Sequence, residues 1–430
     1  MAQNYNWCHI FARTASELIS AGMIAAALGD VSRDLKVVGY TAQIIFSTYF
    51  LGLATGLFVA AAFSEVTSRK DTWLFCNAWW NSLCPLGNSK ALMIAVRLVT
   101  ETGASSGIAV HINTKRPIST SSSTDCCHSS KLTGPIMADI PVLDPIFGGI
   151  IAQLVVWPWI FWIKSIFDGF ITLAGYCFIR ESYTPVLLRR KAKPEAMSTS
   201  SIERTFTIRH WQELLLQLSI GLIRPFQILI RRPVIQLITF IFGVGFGIYT
   251  ILILIFAALY IERHSQSVSI SALHYISIDI GAISASQIGD RIMDWLYRRL
   301  SNKNNNHGRP EFRVPYSMDG AILMPIEISW HGWVAEVTGP WVLVDIGASV
   351  FTLGNMVFNQ GILAHQLDEF GKYGVSENAA SRVGSNIMGF ILPISGPQLY
   401  DNLGVGWDNP IGLHMDRIRR SCLFCIVLLG

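Results

Sequence analysis

Residues 37–63 read VVGYTAQIIFSTYFLGLATGLFVAAAF, 27 positions without a charge. A run of about twenty apolar residues is what a helix needs to cross the hydrocarbon layer of a bilayer. Gly52, Gly56 and the alanines at 60–62 supply small side chains, which let neighbouring helices approach closely in lipid. The stretch therefore predicts a membrane-spanning helix that packs tightly on a neighbour.

Comparable blocks recur on both sides of it. Upstream, residues 7–29 form a weaker span carrying Arg13 and Glu17. Downstream, spans are expected over 72–85, 91–112, 134–156 and on to 179, then over 233–261, 270–290, 319–338, 340–363 and 383–400. Trp157-Pro158-Trp159 predicts a tight turn with interfacial aromatics. Residues 113–133 are rich in Ser and Thr and read as a loop. The longest polar connection, 180–232, includes an amphipathic segment over 206–230 suited to the membrane surface. A second basic loop is expected from 291 to Pro315. After Trp407 the chain is polar as far as Arg420, and the apolar tail 421–430 is about half the length that a span requires.

Charge tests this layout. With the N-terminus inside, the connections near residues 69, 115, 190, 300 and 372 and the segment Arg417–Arg420 face the cytoplasm and hold 25 of the 33 Lys and Arg. The outer connections hold four: Arg33, Lys36, Lys90 and Arg263. Such asymmetry orients membrane proteins. Composition agrees, since 14% of residues are charged against roughly 25% in a soluble domain. The chain reads as an all-α, multi-spanning membrane protein. Its domains are an N-terminal six-helix bundle (1–180), a cytoplasmic central loop (181–231) and a C-terminal bundle (232–430) whose last span is truncated. No basic n-region or cleavage site opens the chain, so the first span is expected to act as its own insertion signal.

Several functions are disfavoured. The basic residues are confined to particular loops and form no nucleic-acid patch. No Gly-rich phosphate loop occurs, which argues against ATP-driven transport. The eight cysteines suggest no disulfide framework. Cys422-Leu-Phe-Cys425 and Cys126-Cys127-His128 each stand alone, so small apolar residues explain them better than a metal site. No enzymatic motif and no cofactor site is read. Histidines give no catalytic pattern: His274 and His331 fall within spans, where packing is the plainer reading.

Two six-span halves around a basic central loop is the layout of major facilitator transporters, with a substrate site between the halves near the midplane. The chain also resembles that superfamily in its motifs, most closely the twelve-span fungal drug:proton antiporter branch. Glu181-Ser-Tyr-Thr-Pro-Val-Leu-Leu-Arg-Arg-Lys-Ala192 is similar to the run that closes the sixth span there. Arg224-Pro225-Phe226 and Arg232-Pro233-Val234 resemble the approach to the seventh span, and Arg309-Pro-Glu-Phe-Arg313 with Met324-Pro325-Ile326 the entry to the ninth. Tyr400-Asp-Asn-Leu-Gly-Val-Gly-Trp407 resembles the end of the eleventh.

The resemblance implies site residues. Glu65, Arg69 and Lys70 correspond to the cytoplasmic gate motif after the second span, with Ser68 in place of the turn glycine. Arg97 with Gly103 resembles the fourth-span motif whose arginine is linked to proton coupling. An intramembrane charge is costly and marks a functional site by default. Glu101 lies four residues on, and Lys164 with Asp168 repeats the spacing, which fits structural self-pairing equally well. Pro141, Pro145, Gly148 and Gly149 resemble the fifth-span antiporter motif, with Ile140 and Asp144 replacing two of its glycines.

These features imply a secondary transporter, expected in the plasma membrane as a monomer, that exports small apolar organic compounds in exchange for protons. The alternative is a transporter-derived membrane protein that has lost activity, as the replaced glycines, the 113–133 stretch and the short tail suggest.

Overall fold

A computed structural model describes residues 24–25, 27–37, 40–66, 90–114, 146–178, 223, 227, 229–305, 307–336, 340–370 and 374–403. Its regular elements are helices: α1 (27–34), α2 (Tyr40–Val66), α3 (Lys90–Thr114), α4 (146–154), α5 (Pro158–Phe178), α6 (Pro233–His264), α7 (Val268–Leu273), α8 (Tyr275–Lys303), α9 (Val314–Glu336), α10 (Trp341–Phe370) and α11 (Gly374–Leu403). Among the described residues, Pro233–His264, Val268–Lys303 and Trp341–Gln366 are long and apolar enough to cross a membrane.

Local chemistry sets the boundaries. Pro233 occupies the first turn of α6, where its missing N–H costs nothing. Residue Ser265 ends α6 in the left-handed region, with φ 52°, and its N–H closes on the Tyr260 carbonyl. The turn expected at Trp157-Pro158-Trp159 is present as the joint between α4 and α5. There the Trp157 indole donates to Asp34 Oδ2 at 2.8 Å, tying the end of α1 to the α4–α5 joint.

Glycines set the spacing between helices. A Cβ on Gly281 would lie 2.1 Å from the Ser349 carbonyl oxygen, which holds α8 close against α10. Likewise Gly320 faces the Gly354 carbonyl at 2.5 Å and holds α9 against α10. Residues Gly243 and Gly247 of α6 accept Met388 and Leu392 of α11. Between helices in lipid such close approach provides the dispersion energy that the hydrophobic effect does not. The outer face is apolar, with Phe167, Phe170, Leu173 and Tyr176 of α5 exposed, as a lipid-facing surface requires.

Two boundaries differ from the sequence reading. The basic loop expected from residue 291 is helical as far as Lys303. Met293 and Leu296 pack there against the cluster of Ala285, Tyr316 and Val357, so burial extends the helix while the arginines reach outward. The eleventh span begins at Gly374, not at 383. Further along this helix, Ser381 Oγ accepts from Gln366 Nε2 of α10 at 2.9 Å, and Ser385 Oγ donates to the Ser381 carbonyl at 3.0 Å. The expected loop over 113–133 begins as helix, since α3 runs to Thr114; the first span to residue 23, the third span, residues 115–145, most of the central loop and the tail beyond 403 lie outside the described residues.

Candidate functional site

The glycines of the opening stretch carry the first part of the site. A Cβ on Gly52 would lie 2.6 Å from Glu101 Cβ, and one on Gly56 only 2.3 Å from the Thr102 carbonyl oxygen. These two positions, one turn apart, let α3 lie directly on α2. Thr55 Oγ1 and Thr102 Oγ1 meet at 3.2 Å across the seam. This contact brings Arg97 and Glu101 inside the bundle, each only 1% exposed. They share one helix face, as their spacing predicts. The Arg97 guanidinium lies over the Tyr49 ring of α2, 5.7 Å from its centroid, in cation–π range.

Tyr49 also belongs to the contact between the halves. Phe46, Tyr49, Phe50 and Leu53 of α2 cluster with Leu254 of α6, and Phe246 and Phe390 border them. Phe50 and Phe246 meet edge to face at 5.5 Å. Gly389 of α11 leaves room there, for a Cβ on it would lie 2.9 Å from Phe246. The buried arginine is thus one ring away from aromatics contributed by both halves. A second contact joins α4 to α7, where Ser269 donates to Gln153 Oε1 from its hydroxyl and from its N–H, the latter at 3.2 Å.

The other predicted residues are distributed as follows. Lys164 Nζ and Asp168 Oδ2 are 3.5 Å apart on α5, the lysine buried and the aspartate half-buried. Gly148 and Gly149 are buried in α4. Pro141, Asp144, Pro145, Arg69, Lys70 and Arg13 with Glu17 lie outside the described residues, and Glu65 is described only as helical backbone. His331 is likewise described only in its backbone.

Sequence reasoning missed one cluster. His274, at the α7–α8 joint, brings Nδ1 within 2.8 Å of Asp345 Oδ2 on α10. Its Nε2 lies 2.9 Å from Gln266 Oε1. Tyr260 of α6 donates to Asp345 Oδ1 at 2.6 Å. Its ring stacks on the imidazole at 3.8 Å with an interplanar angle of 1°. The available signal was an acid in an apolar run, Asp345 within Trp341–Ala348, which by default marks a functional site.

No family model matches the chain. Among known proteins it is 31% identical over 396 residues to "Probable efflux pump mfs2" of Aspergillus flavus, covering 90% of this chain and 93% of that protein. It is 28% identical to "Efflux pump vrtL" of Penicillium aethiopicum, covering 90% and 77%. Among solved structures, the proton:xylose symporter XylE superposes with a TM-score of 0.67 at 12% identity, covering 100% of this chain and 95% of that one. The human organic anion transporter MFSD10 superposes at 0.66 with 12% identity, covering 98% and 99%. The helices, the small-residue seams, the apolar exterior and a fungal relative matched almost end to end agree: this chain belongs to the major facilitator superfamily, a multi-pass membrane transporter and not an enzyme.

Proposed function

We propose that the protein exports small, largely apolar organic compounds across the plasma membrane in exchange for protons. The observation that carries this reading is the burial of Arg97 over the Tyr49 ring and of Glu101 against Gly52, at the edge of the aromatic contact between the halves. Alternating access rocks one bundle against the other. A carboxyl beside that contact costs less to bury when protonated, so gain and loss of a proton at Glu101 favour different arrangements of the halves. Relatives named as efflux pumps support the direction of transport, and the aromatic cluster supports an apolar solute.

The experiment is a vesicle assay with a panel of apolar compounds. Export is expected to collapse with a protonophore and to be lost in Arg97→Ala. Transport unchanged in both arms rejects the proton mechanism. Absence of movement for every compound, from correctly inserted protein, favours the reading in which activity has been lost.

A further inference from the structure

We propose that the cytoplasmic end of α8 is a docking site for an anionic phospholipid, with Arg299 and Lys303 holding the headgroup and the apolar face below Trp295 taking the acyl chains. The inference goes beyond the transport reading and does not depend on which solute or ion the carrier moves.

Length carries this end out of the hydrocarbon. Residues Val268–Lys303 form a helical run of 36 residues, broken only by the α7–α8 joint. At 1.5 Å per residue the run reaches about 54 Å, against a hydrocarbon layer of about 30 Å. The basic-loop asymmetry assigns the Lys303 end to the cytoplasm. Ile288, Ile292, Trp295, Arg299 and Lys303 succeed one another at helical spacing, which places them on one face of α8. All five are exposed. The face is therefore apolar as far as Trp295 and cationic beyond it, and tryptophan is a residue of the membrane interface. Arg299 stands one turn past Trp295, about 6 Å further along the axis, within a headgroup layer about 5–8 Å deep. Its guanidinium lies over the Trp295 ring, 5.1 Å from the centroid, which keeps the cation at the membrane boundary.

The charge on this face is unopposed. Asp290 and Asp294 stand about 180° and 140° around the helix from Arg299. Among the described residues, the ion pairs involve neither Arg299 nor Lys303. The opposite face is the one that is held. A Cβ on Gly308 would lie 2.3 Å from the Tyr297 hydroxyl, and the Phe312 ring meets the Tyr297 ring at 6.4 Å. Arg313 lies over the same ring at 4.8 Å and bonds Asp368 of α10. His365 Nδ1 of α10 lies 3.1 Å from the Pro310 carbonyl oxygen. These contacts fix the end of α8 before any ligand arrives, which lowers the ordering cost of binding. The chain's longest cytoplasmic connection, 180–232, does not complement the face, because it carries ten basic residues against four acidic ones. Basic clusters immediately cytoplasmic of a span attract anionic headgroups. The apolar row that continues from Trp295 into the hydrocarbon selects a lipid over a soluble phosphate.

The test uses the full chain in phosphatidylcholine vesicles containing a minor fraction of phosphatidylserine, with a photo-crosslinking residue in place of Ile292 and mass spectrometry of the attached lipid. Relative to the vesicle composition, phosphatidylserine adducts are expected to be enriched by roughly fivefold for each of the two cations. Arg299→Gln with Lys303→Gln is expected to return the adducts to the vesicle ratio, and Arg299→Lys to keep the enrichment. The same crosslinker at Ile280, in the exterior half of the run, is expected to show none. Raising the salt toward 1 M, where the screening length falls to about 3 Å, should lower the enrichment in the otherwise unchanged protein. Adducts at the vesicle ratio without the substitutions overturn the proposal, as does enrichment that survives the double substitution or high salt. Displacement by glycerophosphoserine, which has the headgroup but no acyl chains, would assign the face to a soluble anion and also overturns it. The readout needs no transport, so its failure is distinguishable from failure of the export reading.

Discussion

The two halves bury charge in different ways. In the N-terminal half, Arg97 and Glu101 stand one turn apart on a single helix, sealed by the Gly52–Gly56 face of α2. In the C-terminal half, His274, Asp345 and Tyr260 come from three elements, and their separations in sequence are 71 and 85 residues. A pair on one helix keeps its spacing however the helix moves, so only its surroundings change during transport. A cluster shared among α6, the α7–α8 joint and α10 changes its own geometry whenever those elements shift. The first arrangement suits holding a charge in a dry seam, and the second suits sensing movement.

The largest effect that would break this contrast is expected at Arg97. Arg97→Ala leaves the Glu101 carboxyl in the seam without its neighbouring cation, at a cost of about 3–5 kcal/mol. Thermal unfolding in detergent should show a large loss, and Arg97→Ala with Glu101→Ala should recover most of the stability without recovering transport. Full recovery of transport in the double variant would reduce the pair to a structural role.

Gly56→Leu comes next. Its side chain would meet the Thr102 carbonyl, which is backbone and cannot step aside, so about 3 kcal/mol of overpacking is expected. Gly29→Ala is the control, because nothing lies within 4 Å of that position. Melting temperatures of the two variants check the seam, and equal values would show that α3 does not depend on close approach.

The difference between the halves also explains what could be read from the sequence. The Arg97/Glu101 and Lys164/Asp168 spacings are local, and a helix fixes which face they share. The charge-free stretch over 37–63 similarly predicted a long helix with a tight seam, and α2 supplies both. His274 was illegible because its meaning depends on Asp345, and nothing local brings those two residues together. The helical extension to Lys303 was hidden for a related reason. Arg291, Arg298 and Arg299 look like loop residues until Met293 and Leu296 are seen packing against Tyr316 and Val357.

Smaller effects sharpen the contrast. Asp345→Asn keeps the shape of the cluster but removes the charge that Tyr260 and His274 address, a change of about 1.5–3 kcal/mol for hydrogen bonds to a charged group. Thermal unfolding in detergent should show a loss of that size in Asp345→Asn, and an unchanged melting temperature would show that the cluster does not hold α6 to α10. The least effect is expected from Phe246→Leu, which removes an edge-to-face pair with Phe50 worth about 0.5–1.5 kcal/mol. It should lower the melting temperature only slightly, and a loss as large as that of Gly56→Leu would show that this ring contact holds the fold together.

Whether buried charge in the N-terminal half drives export is tested most directly by Glu101→Gln in proteoliposomes under an imposed pH gradient, with solute export and proton counterflow recorded together. Wild-type protein should export only while the gradient lasts and should carry protons the other way. Glu101→Gln, close in shape and still folded, should lose both flows. Undiminished export after the gradient has collapsed, or an unchanged proton flow in Glu101→Gln, would contradict it.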